Sequence, residues 1–324
     1  MEKRRIGSSD VHVSPLMIGG ANFGWTADRD RSFAILDAFV GAGFNGIDTA
    51  DVYSGWVPGN VGGESETIIG EWIASRGGRD RLTISTKVGA NAREFGKGNL
   101  TASNLVKVVE ASLGRLQTDY VDICHAHAED TVTPIDESLE AFDRLVQAGK
   151  VRIAGGSNYS LSGLTRALDL GAGRGRYQCY QPQYSLCERR EFEGGYQQLC
   201  RAHGLGVVCH SALAKGFLTA KYQDEKALDG LFWADVLRKY GEERGKRILG
   251  ALRAIAGRRD LNPGQVALAW LIAQPGVTAA ILSVNSVAEF EELQGAEEVN
   301  LDATELDELT SASAYPPADV SPCS

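Results

Sequence analysis

Asp48 and Tyr53 stand five residues apart, Lys87 follows, and His125 and His127 lie further along the chain. These residue types suit one kind of chemistry. A tyrosine with its ordinary pKa of about 10 is a poor acid at neutral pH. An ammonium beside it stabilises the phenolate and lowers that value. A buried lysine in turn needs an anion to offset its desolvation, and Asp48 is the candidate. A Lys–Asp pair could equally be a brace in a core. The tyrosine close to the pair favours catalysis, with Tyr53 protonating a carbonyl oxygen and a histidine donating to the same oxygen as negative charge develops on it.

The elements that would bring these residues together are legible in the hydrophobic period. Strand-like apolar runs occur at Leu16–Gly20, Phe44–Asp48, Leu82–Lys87, Tyr120–His125, Val151–Gly155, Tyr177–Gln181, Gly206–His210 and Thr278–Leu282. Amphipathic stretches alternate with them: Leu105, Val108, Val109, Leu113 and Leu116 recur at helical spacing, as do Leu139, Phe142, Leu145 and Val146. Thr133-Pro134-Ile135-Asp136 reads as an N-cap, a first-turn proline and a capping box. Asn262-Pro263 and the pair Ser286 and Glu289 read as further helix starts. Gly41, Gly43, Gly149 and Gly204 read as helix stops.

Alternating β and α units in a chain of 324 residues predict a single-domain (β/α)8 TIM barrel over residues 1–312. The first fifteen residues would form a short β-hairpin lid on its bottom. Residues 214–246 would form a long loop after the seventh strand, and 313–324 a loose C-terminal tail. A doubly wound dinucleotide fold would need G-x-G-x-x-G after the first strand. Gly19-Gly20-Ala21-Asn22-Phe23-Gly24 does not match, and Gly171-Ala172-Gly173-Arg174-Gly175 falls between a helix and a strand. In the barrel, the carboxyl ends of all strands meet on one face, where active sites are built. Asp48, Tyr53, Lys87, His125, His127, Ser157, Asn158, Gln181, His210 and Ser283 all fall at or just after such ends.

Composition narrows the class. The formal net charge of −9 argues against a nucleic-acid surface. No apolar run is long enough to span a membrane, and no apolar segment follows the charged start, so no signal peptide is expected. The six cysteines, Cys124, Cys179, Cys187, Cys200, Cys209 and Cys323, suit neither zinc nor a disulfide framework. A cytoplasmic location with reduced thiols and no metal is the expectation. The oligomeric state is not readable.

With these residues in view, the sequence resembles the aldo-keto reductase family. Gly43-Phe44-Asn45-Gly46-Ile47-Asp48-Thr49-Ala50-Asp51-Val52-Tyr53, Glu64-Ser65-Glu66 leading to Gly70, and Ser85-Thr86-Lys87 are similar to its signature blocks. So are Asp119 to His127, Val151 to Tyr159, and Gln181-Pro182-Gln183-Tyr184-Ser185-Leu186. The resemblance runs from about residue 6 to 312. It implies a tetrad of Asp48, Tyr53, Lys87 and His127, His127 matching the family's histidine position better than His125. It implies a nicotinamide cofactor passing hydride to or from a small carbonyl or alcohol. Ser157, Asn158 and Gln181 would hold the carboxamide, and Gly19 and Gly20 would admit the ribose. Ser211, Ala212, Leu213, Gly216 and Leu218 would form the diphosphate loop, with charge from Lys215 or Lys221. A cofactor-sensing regulatory module of the same fold is the alternative reading.

Two departures stand out. His210 occupies the position where the family usually places a ring-stacking tyrosine, and it could carry a charge. At the adenine end, marked by Ser283, Asn285, Glu289 and Glu292, Asn285 replaces the usual 2′-phosphate arginine and so removes a bidentate clamp. NADP(H) is the expected cofactor, with NAD(H) open for that reason. Trp25, Trp56 and Trp233 are candidates for the substrate pocket.

Overall fold

The computed structural model of the chain describes residues 2–91, 94–170, 176–222 and 225–315. Two short antiparallel strands come first, β1 (Arg4–Arg5) and β2 (His12–Val13). Next come β3 (Leu16–Gly19), β4 (Gly46–Asp48), β5 (Thr83–Val88), the hairpin strands β6 (Ala90–Asn91) and β7 (Glu94–Gly98), and then β8 (Val121–Ala126). The last four are β9 (Val151–Ser157), β10 (Tyr177–Gln181), β11 (Gly206–Cys209) and β12 (Val277–Leu282). Without the two hairpins, eight parallel strands close into the expected TIM barrel, and each pairs with its neighbours in chain order.

The helices are α1 (Arg29–Gly41), α2 (Glu64–Arg76), α3 (Ala102–Leu116), α4 (Ile135–Gln147), α5 (Leu161–Leu170) and α6 (Gln197–Ala202). They continue with α7 (Ala234–Tyr240), α8 (Glu243–Arg259), α9 (Pro263–Ile272), α10 (Val287–Leu293) and α11 (Ala303–Ala312). No helix among the described residues is long and apolar enough to cross a membrane.

Barrel strands bury both faces, so they read as continuous apolar runs rather than as alternation. Their outward side chains join the helices in the larger core. The inward ones form a separate core: Met17, Ile123, Ile153, Cys179, Val208, Ala279 and Ile281. Ile6, Val11 and Val13 from the β1–β2 hairpin complete it from below, so the lid expected on the bottom is present. It is fastened by Asn45, whose side chain meets Ser14 N at 2.8 Å, His12 O at 3.0 Å and Thr83 Oγ1 at 3.0 Å.

Several local expectations need correction. Thr133 does not cap α4. Its hydroxyl donates to Asp130 Oδ2 at 2.6 Å, and the N-cap is Pro134 with no side-chain bond; the nearer carboxylate outcompetes the helix end. Asn262 and Gln265 do form the expected capping box. Ser286 caps α10 through Glu289 N, but the Glu289 carboxylate reaches Asn285 N at 2.8 Å instead of closing a box. Gly41 is the last residue of α1, while Gly43, Gly149 and Gly204 take the left-handed φ of stop positions. The described residues of the 214–246 segment form short 3-10 turns, α7 and the start of α8 rather than one loop. The β6–β7 hairpin after the Lys87 strand is an addition the sequence pattern did not announce. Ser313 and Tyr315 are tied to the body: Arg189 Nη1 donates to Ser313 Oγ at 2.8 Å and Tyr315 donates to Cys187 O at 3.2 Å. The rest of the expected tail, and Gly171 to Gly175, lie outside the described residues.

Candidate active site

The barrel register levels the strand ends: Gly19 pairs with Asp48, Asp48 with Ser85, and Lys87 with His125. Asp48 and Lys87 are each only 2% exposed. Lys87 Nζ donates to Asp48 Oδ2 at 2.5 Å, to Thr49 O at 2.9 Å and to Tyr53 Oη at 2.9 Å. The other Asp48 oxygen accepts from Ser85 Oγ and Gln181 Nε2, both at 2.9 Å. The tyrosine is placed by the chain leaving β4. Thr49 N and Asp51 N extend the sheet to Ser85 O and Lys87 O, and Tyr53 N then turns back to Ala50 O at 3.2 Å. The His127 ring lies 6.0 Å from that of Tyr53 and at 71° to it. The four expected tetrad residues are thus together.

His125 points into the barrel and is fully buried. Its ring lies over Gly155, where an added Cβ would come within 2.5 Å of Nδ1. Two partners were missed from sequence. Ser85 shares the inward face of β5 with Lys87, and period two along that strand would have found it. Asp51 links the tyrosine loop to the end of β5, through its own amide and through Gly89 N at 3.3 Å. Nothing in local pattern marks it.

Burial raises the Tyr53 pKa, Lys87 pulls it down, and Asp48 pushes it up again; the net direction is upward. The expected lowering by the ammonium is therefore real but outweighed. Burial alone would lower Lys87, but Asp48 and then Tyr53 hold it above its usual value. His127 falls well below its usual value through burial, with Lys87, His210 and His125 adding to the effect. Burial and then Lys215 and Lys87 bring His210 to about 3, so the departure at this position introduces a neutral ring.

These shifts give the fold an acid sensitivity. His125 is likewise lowered to about 3, by burial and then Lys87. An unfolded chain binds protons on these rings from about pH 6.5 downward, whereas the folded one does not. Stability therefore falls as pH drops through that range. Asp51 opposes this, since burial and then Glu66 raise its carboxyl to about 7, but it is one group against three. The melting temperature should decline from about pH 6.5 downward, less steeply in His125→Leu and more steeply in Asp51→Asn. Identical slopes in wild type and His125→Leu would remove His125 from the account.

Ser157 Oγ donates to Gln181 O at 2.9 Å, and Asn158, at a φ of 52°, donates to His127 O at 2.8 Å. Gln181 Oε1 is buried without a partner among the described residues. A Cβ on Gly19 would meet Ser283 Oγ at 2.7 Å, and one on Gly20 would meet Ser65 Oγ at 2.5 Å. Both glycines are thus demanded by barrel and helix packing, a reason the sequence reading did not give. After β11 the chain turns through positive φ at Ser211, Ala214, Lys215 and Gly216. The amides of Ala214, Gly216 and Leu218 donate within this turn. Those of Ser211, Ala212 and Leu213 make no hydrogen bond among the described residues. Asn285 Oδ1 accepts from Thr26 Oγ1 at 2.6 Å and from Asn22 Nδ2 at 3.0 Å. Glu289 is paired with Lys221 at 3.1 Å, and the Glu292 side chain is exposed. Trp25, Trp56 and Trp233 all join one aromatic cluster, with Phe232 as a fourth member the sequence reading missed. No group of three or more His, Cys, Asp or Glu among the described residues could hold a metal ion.

The sequence profile of the Aldo/keto reductase family matches residues 15–314. Uncharacterized oxidoreductase YrpG of Bacillus subtilis (strain 168) is 34% identical over 312 residues, 93% of this chain and 93% of that protein. Norsolorinic acid reductase stcV of Emericella nidulans is 31% identical over 299 residues, 87% of this chain and 73% of that protein. Aldo-keto reductase YhdN of Bacillus subtilis (strain 168) is 30% identical over 299 residues, 89% of this chain and 85% of that protein.

Proposed function

Because the chain belongs to the aldo/keto reductase family, we propose that it is an NAD(P)H-dependent carbonyl oxidoreductase in which Tyr53 is the general acid. The observation that carries this reading is the three-way hydrogen bonding of Lys87 to Asp48, Thr49 and Tyr53. A mere brace would not need the phenol. The neutral His127, with its Nδ1 unpartnered among the described residues, would orient the substrate oxygen opposite Tyr53. Named relatives include reductases, which agrees with this direction. The same parts would run alcohol oxidation, Tyr53 then accepting the proton.

The residues present fit a nicotinamide dinucleotide. The buried Gln181 Oε1 has no donor among the described residues, and a carboxamide would supply one, flanked by Ser157 and Asn158. The His210 ring would lie against the nicotinamide. The amides of Ser211, Ala212 and Leu213 would take the diphosphate. When bound, the nicotinamide supplies or accepts the hydride. The sensing alternative predicts cofactor binding without turnover. Mixing the protein, NADPH or NADH and a panel of aldehydes, ketones and sugars while following nicotinamide absorbance decides between them.

Cofactor preference should be weak. Asn285 spends its side chain on Thr26, Asn22 and Glu289, and Lys221 is paired with that same Glu289. NADPH should be favoured over NADH by about ten-fold or less, roughly 1.4 kcal/mol at most. Asn285→Arg should raise that ratio by placing a bidentate donor there. Isothermal titration of both cofactors into both proteins is the measurement. A thousand-fold preference in wild type, or no change in the variant, would place the phosphate elsewhere.

A further inference from the structure

From Tyr53 a chain of side-chain contacts leads away through one aromatic cluster. Tyr53 meets Trp56 at 6.0 Å between centroids, Trp56 meets Trp25 at 5.6 Å, Trp25 meets Phe232 at 5.0 Å, and Phe232 meets Trp233 at 4.8 Å. Lys215 Nζ sits 4.4 Å from the Trp233 centroid and donates to Ser211 Oγ at 3.2 Å. Ser211 Oγ is 3.1 Å from His210 Nδ1. The aromatic contacts are edge-on rather than stacked, at 65° to 86°. Phe232 is 62% and Trp233 38% exposed, apolar area that a flat guest would cover.

Lys215 is the cation in this chain of contacts. Lys87 is paired with Asp48, Lys150 with Glu110, Lys221 with Glu289 and Lys246 with Glu243. Lys215 has no carboxylate partner among the described residues. Burial pushes its pKa down, which is the signature of an ammonium desolvated without compensation. An anion brought by a ligand would supply it.

We propose that these side chains frame a substrate chamber that selects planar aromatic aldehydes or ketones bearing a carboxylate, held against the Trp25, Trp56, Phe232 and Trp233 rings and paired with Lys215. The proposal rests on the carbonyl oxidoreductase reading above and names the substrate class of that site. The competing role for Lys215 is the cofactor diphosphate. Its contact with Trp233, which leads back through the aromatic cluster to Tyr53, favours the substrate side.

The experiment compares carboxybenzaldehydes with their methyl esters, and with an aliphatic aldehyde acid of the same charge, in wild type, Lys215→Met and Lys215→Arg. Cofactor dissociation constants and circular dichroism are recorded for each protein. Wild type should favour acid over ester by about ten-fold in kcat/KM, the scale of one charge-assisted contact. Lys215→Met should collapse that ratio and Lys215→Arg restore it. Cofactor affinity should change by less than the ratio does. Equal turnover of acid and ester, or an aliphatic acid preferred over the aromatic one, overturns the proposal. So does a Lys215→Met variant that weakens cofactor binding at unchanged selectivity. Benzoate binding to the cofactor complex, read by tryptophan fluorescence, separates the two levels of argument. If no carbonyl is turned over but benzoate binds and Lys215→Met abolishes that binding, the chamber stands and the reductase reading falls. Absence of benzoate binding overturns the chamber itself.

Discussion

Tyr53→Phe is expected to bind the nicotinamide cofactors as wild type does and to lose about a hundred- to ten-thousand-fold in kcat, the usual contribution of a positioned general acid. The ring would keep its contacts with Trp56 and His127. Lys87 would keep Asp48 and Thr49 O, so the fold has little reason to change. What disappears is one proton. Because the Tyr53 pKa is raised by burial against the pull of Lys87, wild type carries that proton throughout the neutral range. Reduction should therefore hold its rate through neutral pH and fall only on the alkaline side, while alcohol oxidation should rise there. His127 and His210, both lowered by burial, should give no limb near the ordinary histidine pKa of about 6.5. Steady-state kinetics in both directions across pH, with wild type and variant side by side, check this. Near wild-type kcat in the variant would end the assignment of Tyr53 as the acid.

What could be read from sequence was what period and motif encode. The eight strand runs survive because a parallel barrel buries both strand faces, which leaves unbroken apolar stretches such as Thr278–Leu282. The four residues proposed as the tetrad were legible as candidates because each sits at or just beyond a strand's carboxyl end. Residues whose roles depend on distant partners were not legible. Asp51 gains its place from the Lys87 carbonyl and the Gly89 amide, and Phe232 from Trp25, far earlier in the chain. The net direction of the Tyr53 pKa was misread for the same reason. Charge neighbours can be guessed from sequence, but the depth of burial that outweighs them cannot. Gly19 and Gly20 show the converse. Their identity was plain, yet the atoms that exclude a side chain there, Ser283 Oγ and Ser65 Oγ, lie far along the chain.

Lys87→Met is expected to lower both activity and stability, and the two effects are separable. Losing the ammonium leaves Asp48 buried with only Ser85 and Gln181 as donors. Breaking a buried pair on one side costs about 3–5 kcal/mol. Tyr53 would meanwhile lose the ammonium that opposes the effect of its burial. Its pKa would rise further, the phenol would become a weaker acid, and turnover per folded molecule should fall by about a hundred-fold or more. A second variant isolates the cause. In Lys87→Met with Asp48→Asn no charge is left uncompensated, so much of the lost stability should return. The ammonium is still missing, so activity should not. Chemical denaturation gives the folded fraction, and kcat is then expressed per folded molecule. If Lys87→Met turned over normally on that basis, Lys87 and Asp48 would be no more than a brace beneath the barrel mouth. If the double variant regained turnover along with stability, the unpaired carboxylate, and not the missing ammonium, would be what disabled the site.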